Sequence, residues 1–175
     1  FFTEKGKCFW MRVYEIPEGS KTSKGRAIQN LINIEQDDNV KSVICTQDIK
    51  DEEYINSHFV IMCTKKGVVK KTSLEQYSRP RSNGINAITV RDGDTLLEAK
   101  LTTGDSHVML GLKSGKAIRF DESKTRPMGR NASGVRGIRL SHEDDEVIGM
   151  VAVNDMDSNI LVVSEKGYGK RSSLD

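Results

Sequence analysis

His58-Phe59-Val60-Ile61-Met62-Cys63-Thr64-Lys65-Lys66-Gly67-Val68-Val69-Lys70-Lys71-Thr72 is a strand-length apolar run, a turn built on glycine, and a second run of strand formers. The same unit recurs three times. Phe1 to Gly6 is followed by Lys7 to Val13, His107 to Gly115 by Lys116 to Phe120, and Asn159 to Gly167 by Tyr168 to Leu174. The turn glycines Gly6, Gly67, Gly115 and Gly167 stand 61, 48 and 52 residues apart, and a second glycine (Gly25, Gly84, Gly134) follows the first three by 19, 17 and 19. Self-similarity at such a period is the mark of a repeat architecture, and it takes precedence over any local propensity.

Beyond each second glycine lies a period-two apolar pair: Ile32 and Ile34, Ile88 and Val90, Ile138 and Leu140. An acidic turn follows (Glu35 to Asp38, Arg91 to Asp94, His142 to Glu146), and then a closing strand over Val40 to Thr46, Leu96 to Thr102 or Val147 to Val153. The spacing Ile28, Leu31, Ile32, Glu35 looks helical, but its counterparts in the other repeats alternate, so strand is expected there. The pattern predicts an all-β chain of four-stranded blades over about 1–57, 58–106 and 107–158, with 159–175 beginning another, and no helix longer than about two turns. Alternation places Ile32, Ile34, Ile61, Ile88, Val90, Leu110, Ile118, Ile138, Leu140, Leu161 and Val163 in the core. The Trp-Asp signature of one common propeller class is absent, as are the paired glycines of another. Three repeats and part of a fourth are too few to close a ring, and the chain reads as a piece of something longer.

Composition bounds the alternatives. The 175 residues are 36% apolar and 30% charged, against a usual ~25% charged, which disfavours one large helical core. No apolar run approaches the ~18 residues of a membrane span, and the start lacks signal-peptide architecture, so a cytoplasmic, membrane-free protein is expected. Three cysteines, none within zinc-knuckle spacing of another, fit neither a disulfide framework nor a zinc site. Cys45 and Cys63 lie in apolar runs and are expected to be buried.

The net charge of +2 hides a strongly periodic distribution. Four positions after the turn glycines stand Trp10, Lys71, Arg119 and Arg171, and alternation is expected to point them off the sheet. The following loops carry Lys21, Lys24 and Arg26, then Arg79 and Arg81, then Lys124, Arg126, Arg130 and Arg136. Lys65 to Gly84 holds six basic residues against Glu75 alone, and Lys113 to Arg139 holds eight against Asp121 and Glu122. Blades related by rotation would gather these bases into a belt matching a polyanion, with the acidic turns elsewhere. Gly129-Arg130-Asn131-Ala132-Ser133-Gly134 has the glycine spacing of a nucleotide loop but lacks its Lys-Ser/Thr, leaving only a phosphate-contacting loop open. No histidine has a partner at metal or triad spacing, and no nucleophile–base pair stands out.

Met128-Gly129-Arg130-Asn131-Ala132-Ser133-Gly134-Val135-Arg136-Gly137-Ile138-Arg139-Leu140, Gly67-Val68-Val69-Lys70-Lys71-Thr72 and Lys166-Gly167-Tyr168-Gly169-Lys170-Arg171 resemble the C-terminal domain of the bacterial DNA gyrase A protein, and the likeness runs over the whole chain. The resemblance implies a β-pinwheel of six blades that exchange strands and wrap double-stranded DNA on a basic rim. The remainder of gyrase A, together with gyrase B, would supply ATP-driven strand passage, and hence negative supercoiling. It implies no cofactor in this chain and no catalytic residue. The implied DNA contacts are Lys70, Lys71, Arg79, Arg81, Arg119, Lys124, Arg126, Arg130, Arg136, Lys170 and Arg171. The family's Q-R-R-G-G-K-G box is absent and is expected upstream of Phe1, with further blades expected downstream. The related topoisomerase IV domain is an alternative. So is a propeller scaffold for protein partners, which would show an apolar hot-spot patch instead of a basic belt.

Overall fold

Each turn glycine closes a hairpin of one form. In the computed structural model, which describes residues 1–174, Gly6, Gly67, Gly115 and Gly167 take φ between +82° and +85°. The N–H of each donates to the carbonyl three residues earlier, as Gly67 does to Thr64 at 3.0 Å. The strands run β1 (Phe2–Thr3), β2 (Lys7–Cys8), β3 (Val40–Ser42), β4 (Phe59–Thr64), β5 (Val68–Ser73), β6 (Ile85–Asn86) and β7 (Leu96–Thr102). They continue as β8 (His107–Leu112), β9 (Ala117–Asp121), β10 (Val135–Arg136), β11 (Val147–Val153), β12 (Asn159–Val163) and β13 (Gly169–Ser173). Among the described residues a single α-helix, α1 (Glu52–Ser57), precedes β4 and is capped by Asp51, whose carboxylate accepts from Glu53 and Tyr54 N–H at 3.0 and 3.1 Å.

The acidic turns have a structural reason. Asp94 Oδ1 accepts the N–H of Thr95 at 2.8 Å and of Lys66, beside the turn glycine, at 2.9 Å. Asp38 does the same for Asn39 and Lys5, and Asp145 for Glu146 and Ser114. One carboxylate per repeat therefore pins the closing turn to its own hairpin.

The sheets are assembled across repeats. Within the sheets the strands pair antiparallel, in the orders β3-β1-β2-β6, β10-β5-β4-β7, β11-β8-β9 and β12-β13, and one isolated parallel bridge joins Lys71 to Pro127. Thus β6 leaves the second repeat to pair with β2 of the first (Lys7 opposite Asn86), and β10 leaves the third to pair with β5 (Arg136 opposite Val68). Strand exchange is what the family resemblance implies, and it corrects only the repeat-by-repeat reading in which each repeat supplies all four strands of its own blade. The exchanged strands are only two residues long, and Ile88 and Ile138 lie just beyond them, buried outside any ladder. Ile32 and Ile34 are likewise buried outside a strand, after a single 3-10 turn over Ile28–Asn30. The second glycines make the exchange possible: Gly134 has φ +89°, and a Cβ there would stand 2.6 Å from the Val69 carbonyl.

The core follows from this stacking. On β4, Val60 and Met62 join Phe2, Ile85, Ile88 and Leu96 against the first sheet, while Ile61 and Cys63 join Val69, Val108, Leu110 and Met150 against the third. A strand covered on both faces reads as an unbroken apolar run, which is why Val60-Ile61-Met62-Cys63 shows no alternation. Burying each such side chain contributes about 1.5–3 kcal/mol. Three residues expected in the core are instead exposed: Ile118 at 37%, Leu161 at 67% and Val163 at 57%. Ile118 shares the covered face of its partner Leu110 but sits on β9, the free edge of the three-stranded sheet, and Leu161 and Val163 sit on the two-stranded sheet. Cys45 is exposed as well, because the edge strand β3 ends at Ser42 before reaching it.

Candidate functional site

Lys70 and Lys71 are the largest correction to the expected basic rim. Both lie on β5, between β10 and β4, and are buried at 0% and 4% exposure. In a stack of blades, a side chain pointing off a sheet points into the neighbouring blade. Lys71 reaches the third repeat, with Nζ 3.0 Å from Glu122 Oε1 and 4.3 Å from the centre of the Phe59 ring. Lys70 points the other way and donates to the carbonyls of Ala87 at 2.6 Å and Arg130 at 2.5 Å. Burial, aided by the Arg130 guanidinium, pushes the Lys70 amine down to about 8.

Other members of that column hold blades together too. Arg119 is exposed on β9, but one of its nitrogens donates to the Leu174 carbonyl in the next repeat. Trp10 packs half-buried against the core between the first two sheets. Lys170 and Arg171, on β13, are exposed.

The loop arginines are placed differently. Arg79, Arg81 and Arg130, with Glu75, Gln76 and Ile85, line a cleft of about 200 Å³ where the second and third repeats meet. Arg79 and Arg81 are exposed. Arg130 is half-buried, with Nη1 donating to the Asn86 carbonyl at 3.2 Å. Among the described residues none of the three guanidiniums forms an ion pair. Lys124, Arg126 and Arg136 are also exposed, the last on β10. These loops leave the far ends of β5 and β9, whereas the acidic turns fold onto the glycine turns, where Glu35 and Asp37 pair with Lys5 and Glu146 with Lys65.

Gly129 to Gly134 is not a bare anion cradle. Its carbonyls at Asn131 and Ala132 accept from the Thr89 hydroxyl and N–H, and the Asn131 side-chain oxygen accepts from Asn86 Nδ2. The loop thereby lies on the exchanged strand of the preceding repeat and delivers Arg130 to the cleft. Asn86, Thr89 and Gln76 were silent in the sequence, because none carries charge or periodicity. Among the described residues no three His, Cys, Asp or Glu side chains converge to hold a metal ion, and no helix is long and apolar enough to cross a membrane.

Comparison with known proteins places this geometry among relatives. A family model described as DNA gyrase C-terminal domain, beta-propeller, matches residues 1–47, 58–103, 108–154 and 158–175, leaving α1 in an unmatched interval. The chain is 42% identical over 174 residues to the DNA gyrase A protein of Salmonella typhimurium strain LT2, and 42% identical over 175 residues to that of Staphylococcus epidermidis. In each case 99% of this chain is covered but only 19% of the relative, so the chain spans about a fifth of the length of these curated relatives. A solved C-terminal domain of DNA topoisomerase IV superposes with a TM-score of 0.84 at 29% identity, covering 99% of this chain and 52% of that one. A DNA gyrase A C-terminal domain superposes at 0.79 and 25% identity, covering 97% and 52%.

Proposed function

The chain belongs to the DNA gyrase C-terminal domain family, and from that membership we propose that it is a non-catalytic, duplex-DNA-binding element of a bacterial type II topoisomerase. Its exposed loop bases hold the DNA backbone for wrapping, and the remainder of gyrase A, together with gyrase B, carries out ATP-dependent negative supercoiling. The observation that carries this reading is the set of uncompensated, exposed bases, Arg79, Arg81, Lys124 and Arg126 in the loops and Arg136 on β10, with Arg130 half-buried in its loop. Such groups meet phosphates at little desolvation cost and read no base edges, so binding with little sequence preference follows. Lys70 and Lys71 do not belong to this set, because their ammonium groups are engaged inside the stack.

The test is duplex binding across salt. Each phosphate contact contributes about −0.9 to the slope of log K against log salt. Replacing Lys124, Arg126 and Arg136 by Ala should flatten that slope by up to about three and weaken all sequences alike. An unchanged slope would return these bases to the status of a solvated face. The superposition on a topoisomerase IV domain supports a second reading, in which the wrapped segment steers decatenation. Supercoiling and decatenation assays on the assembled enzyme separate the two.

A further inference from the structure

We propose that the cleft between the second and third repeats is a discrete site for one phosphate group of a nucleic-acid backbone, liganded by Arg79, Arg81 and Arg130 and positioned from behind by the buried Lys70. This rests on the DNA-binding reading and narrows it from a diffuse belt to a built clamp. Three observations converge on it.

The first is the donor set. Three arginines and Gln76 line one concavity, and each guanidinium carries five N–H donors in a fork that matches phosphate oxygens. Arg130 has one nitrogen engaged on Asn86 and its others available. Glu75 also lines the cleft, but its carboxylate accepts from Gln76 Nε2 at 3.0 Å and pairs with none of the arginines.

Size is the second. At about 200 Å³ the cleft falls below the ~300–1,000 Å³ of pockets that enclose drug-sized molecules, and suits a phosphate group while the rest of the ligand stays outside.

The third is an uncompensated buried cation. Lys70 has no carboxylate partner among the described residues and is held only by two carbonyls. A buried ammonium without a counter-ion is costly, and an anion arriving beside Arg130 relieves that cost. Because one of its carbonyl acceptors is that of Arg130 itself, Lys70 also sets the loop that presents the guanidinium. It acts as a positioning residue.

Protonation of Lys70 should therefore be linked to phosphate binding. Its charged and titratable surroundings are Arg130 on the loop and Tyr77, whose hydroxyl shares the Ala87 carbonyl and which itself neighbours Cys8 on β2, with Glu75, Arg79 and Arg81 in the cleft beyond Arg130. Burial drives the Tyr77 phenol and the Cys8 thiol up, so neither ionises near pH 8, where the Lys70 amine does.

The test uses the 175-residue chain with two probes, inorganic phosphate and a short DNA duplex. At constant ionic strength, inorganic phosphate should shift the guanidinium Nε–H resonances of Arg79, Arg81 and Arg130 together while leaving Arg126 and Arg136 in place. Duplex affinity should fall severalfold as the pH is raised through the Lys70 titration in the wild type and stay flat in Lys70→Met, with folding checked by circular dichroism. Arg130→Gln, which leaves Lys70 in place, should abolish the concerted phosphate shift. Uniform shifts of all arginines, or a pH dependence that survives Lys70→Met, would overturn the clamp while leaving DNA binding intact. A concerted phosphate shift without duplex binding would support the clamp, refute the DNA reading, and assign the site to free phosphate groups.

Discussion

Lys71 Nζ stands 3.0 Å from Glu122 Oε1, and both side chains are buried, so one ion pair ties the second blade to the third. The carboxylate is otherwise satisfied by the Thr102 hydroxyl at 2.6 Å and the Ser106 N–H at 3.3 Å. Seven residues after each turn glycine stand Val13, Leu74, Glu122 and Leu174. The apolar Leu74 goes with the apolar Trp10 of the preceding repeat, and the acidic Glu122 with the basic Lys71.

Breaking that pair should be worse than removing it. Lys71→Met leaves a buried carboxylate without its cation and should cost about 3–5 kcal/mol, whereas Lys71→Met with Glu122→Met should recover much of the loss. Urea denaturation of the two single variants and the double variant measures this. Strict additivity would mean that the two groups do not interact energetically.

Glycine should matter where strands cross between repeats. Gly25→Ala meets nothing within 4 Å and should cost only the left-handed backbone penalty of about 1–2 kcal/mol. Gly134→Ala adds a clash with the Val69 carbonyl at 2.6 Å and the Val68 side chain at 2.8 Å, and should be clearly more damaging. Equal melting temperatures for the two variants would refute the close-approach argument.

Acid should act through the pinned turns. Burial pushes the Asp145 carboxyl up, but the hydroxyl and N–H of Ser114 and the N–H groups of Ser141 and Glu146 outweigh it and hold the carboxyl at about 2. Its contribution is therefore present above the unfolded value near ~3.9 and is lost as pH falls towards about 2. Asp145→Asn should be less stable than wild type at about pH 6, with the difference shrinking between about pH 4 and 2 in denaturation curves. A difference that stays constant with pH would mean that Asp145 does not couple to folding as a charge.

Thiol reactivity should sort the cysteines. Cys8 and Cys63 are buried, and burial pushes each thiol up to about 12, while Cys45 is exposed. An aromatic disulfide reagent should modify one thiol in the native chain and all three after unfolding. Rapid native labelling of Cys63 would contradict the double-sided cover on β4.

Hairpins, turns and closing strands were legible because they are local. The run from His58 to Thr72 contains its own turn glycine, and the expected closing strands Leu96 to Thr102 and Val147 to Val153 match β7 and β11 residue for residue. The exchange of β6 and β10 between blades was not readable from the residues. Two-residue strands carry no period, and their partners are remote: Asn86 pairs with Lys7, 79 positions back, and Arg136 with Val68, 68 positions back.

That the chain is a β repeat with basic loops was written in its residues, since glycine placement, apolar runs and charge spacing are properties of single segments. Which bases are buried and which exposed was decided by the packing of repeats against one another. Lys70, Lys71 and Arg79 are equivalent as cations in the sequence, yet two are enclosed by neighbouring blades and one stands in an open cleft. Whether a lysine meets water or a buried carbonyl depends on what packs over its strand, and in a blade stack that cover comes from other repeats, beyond the reach of any local pattern.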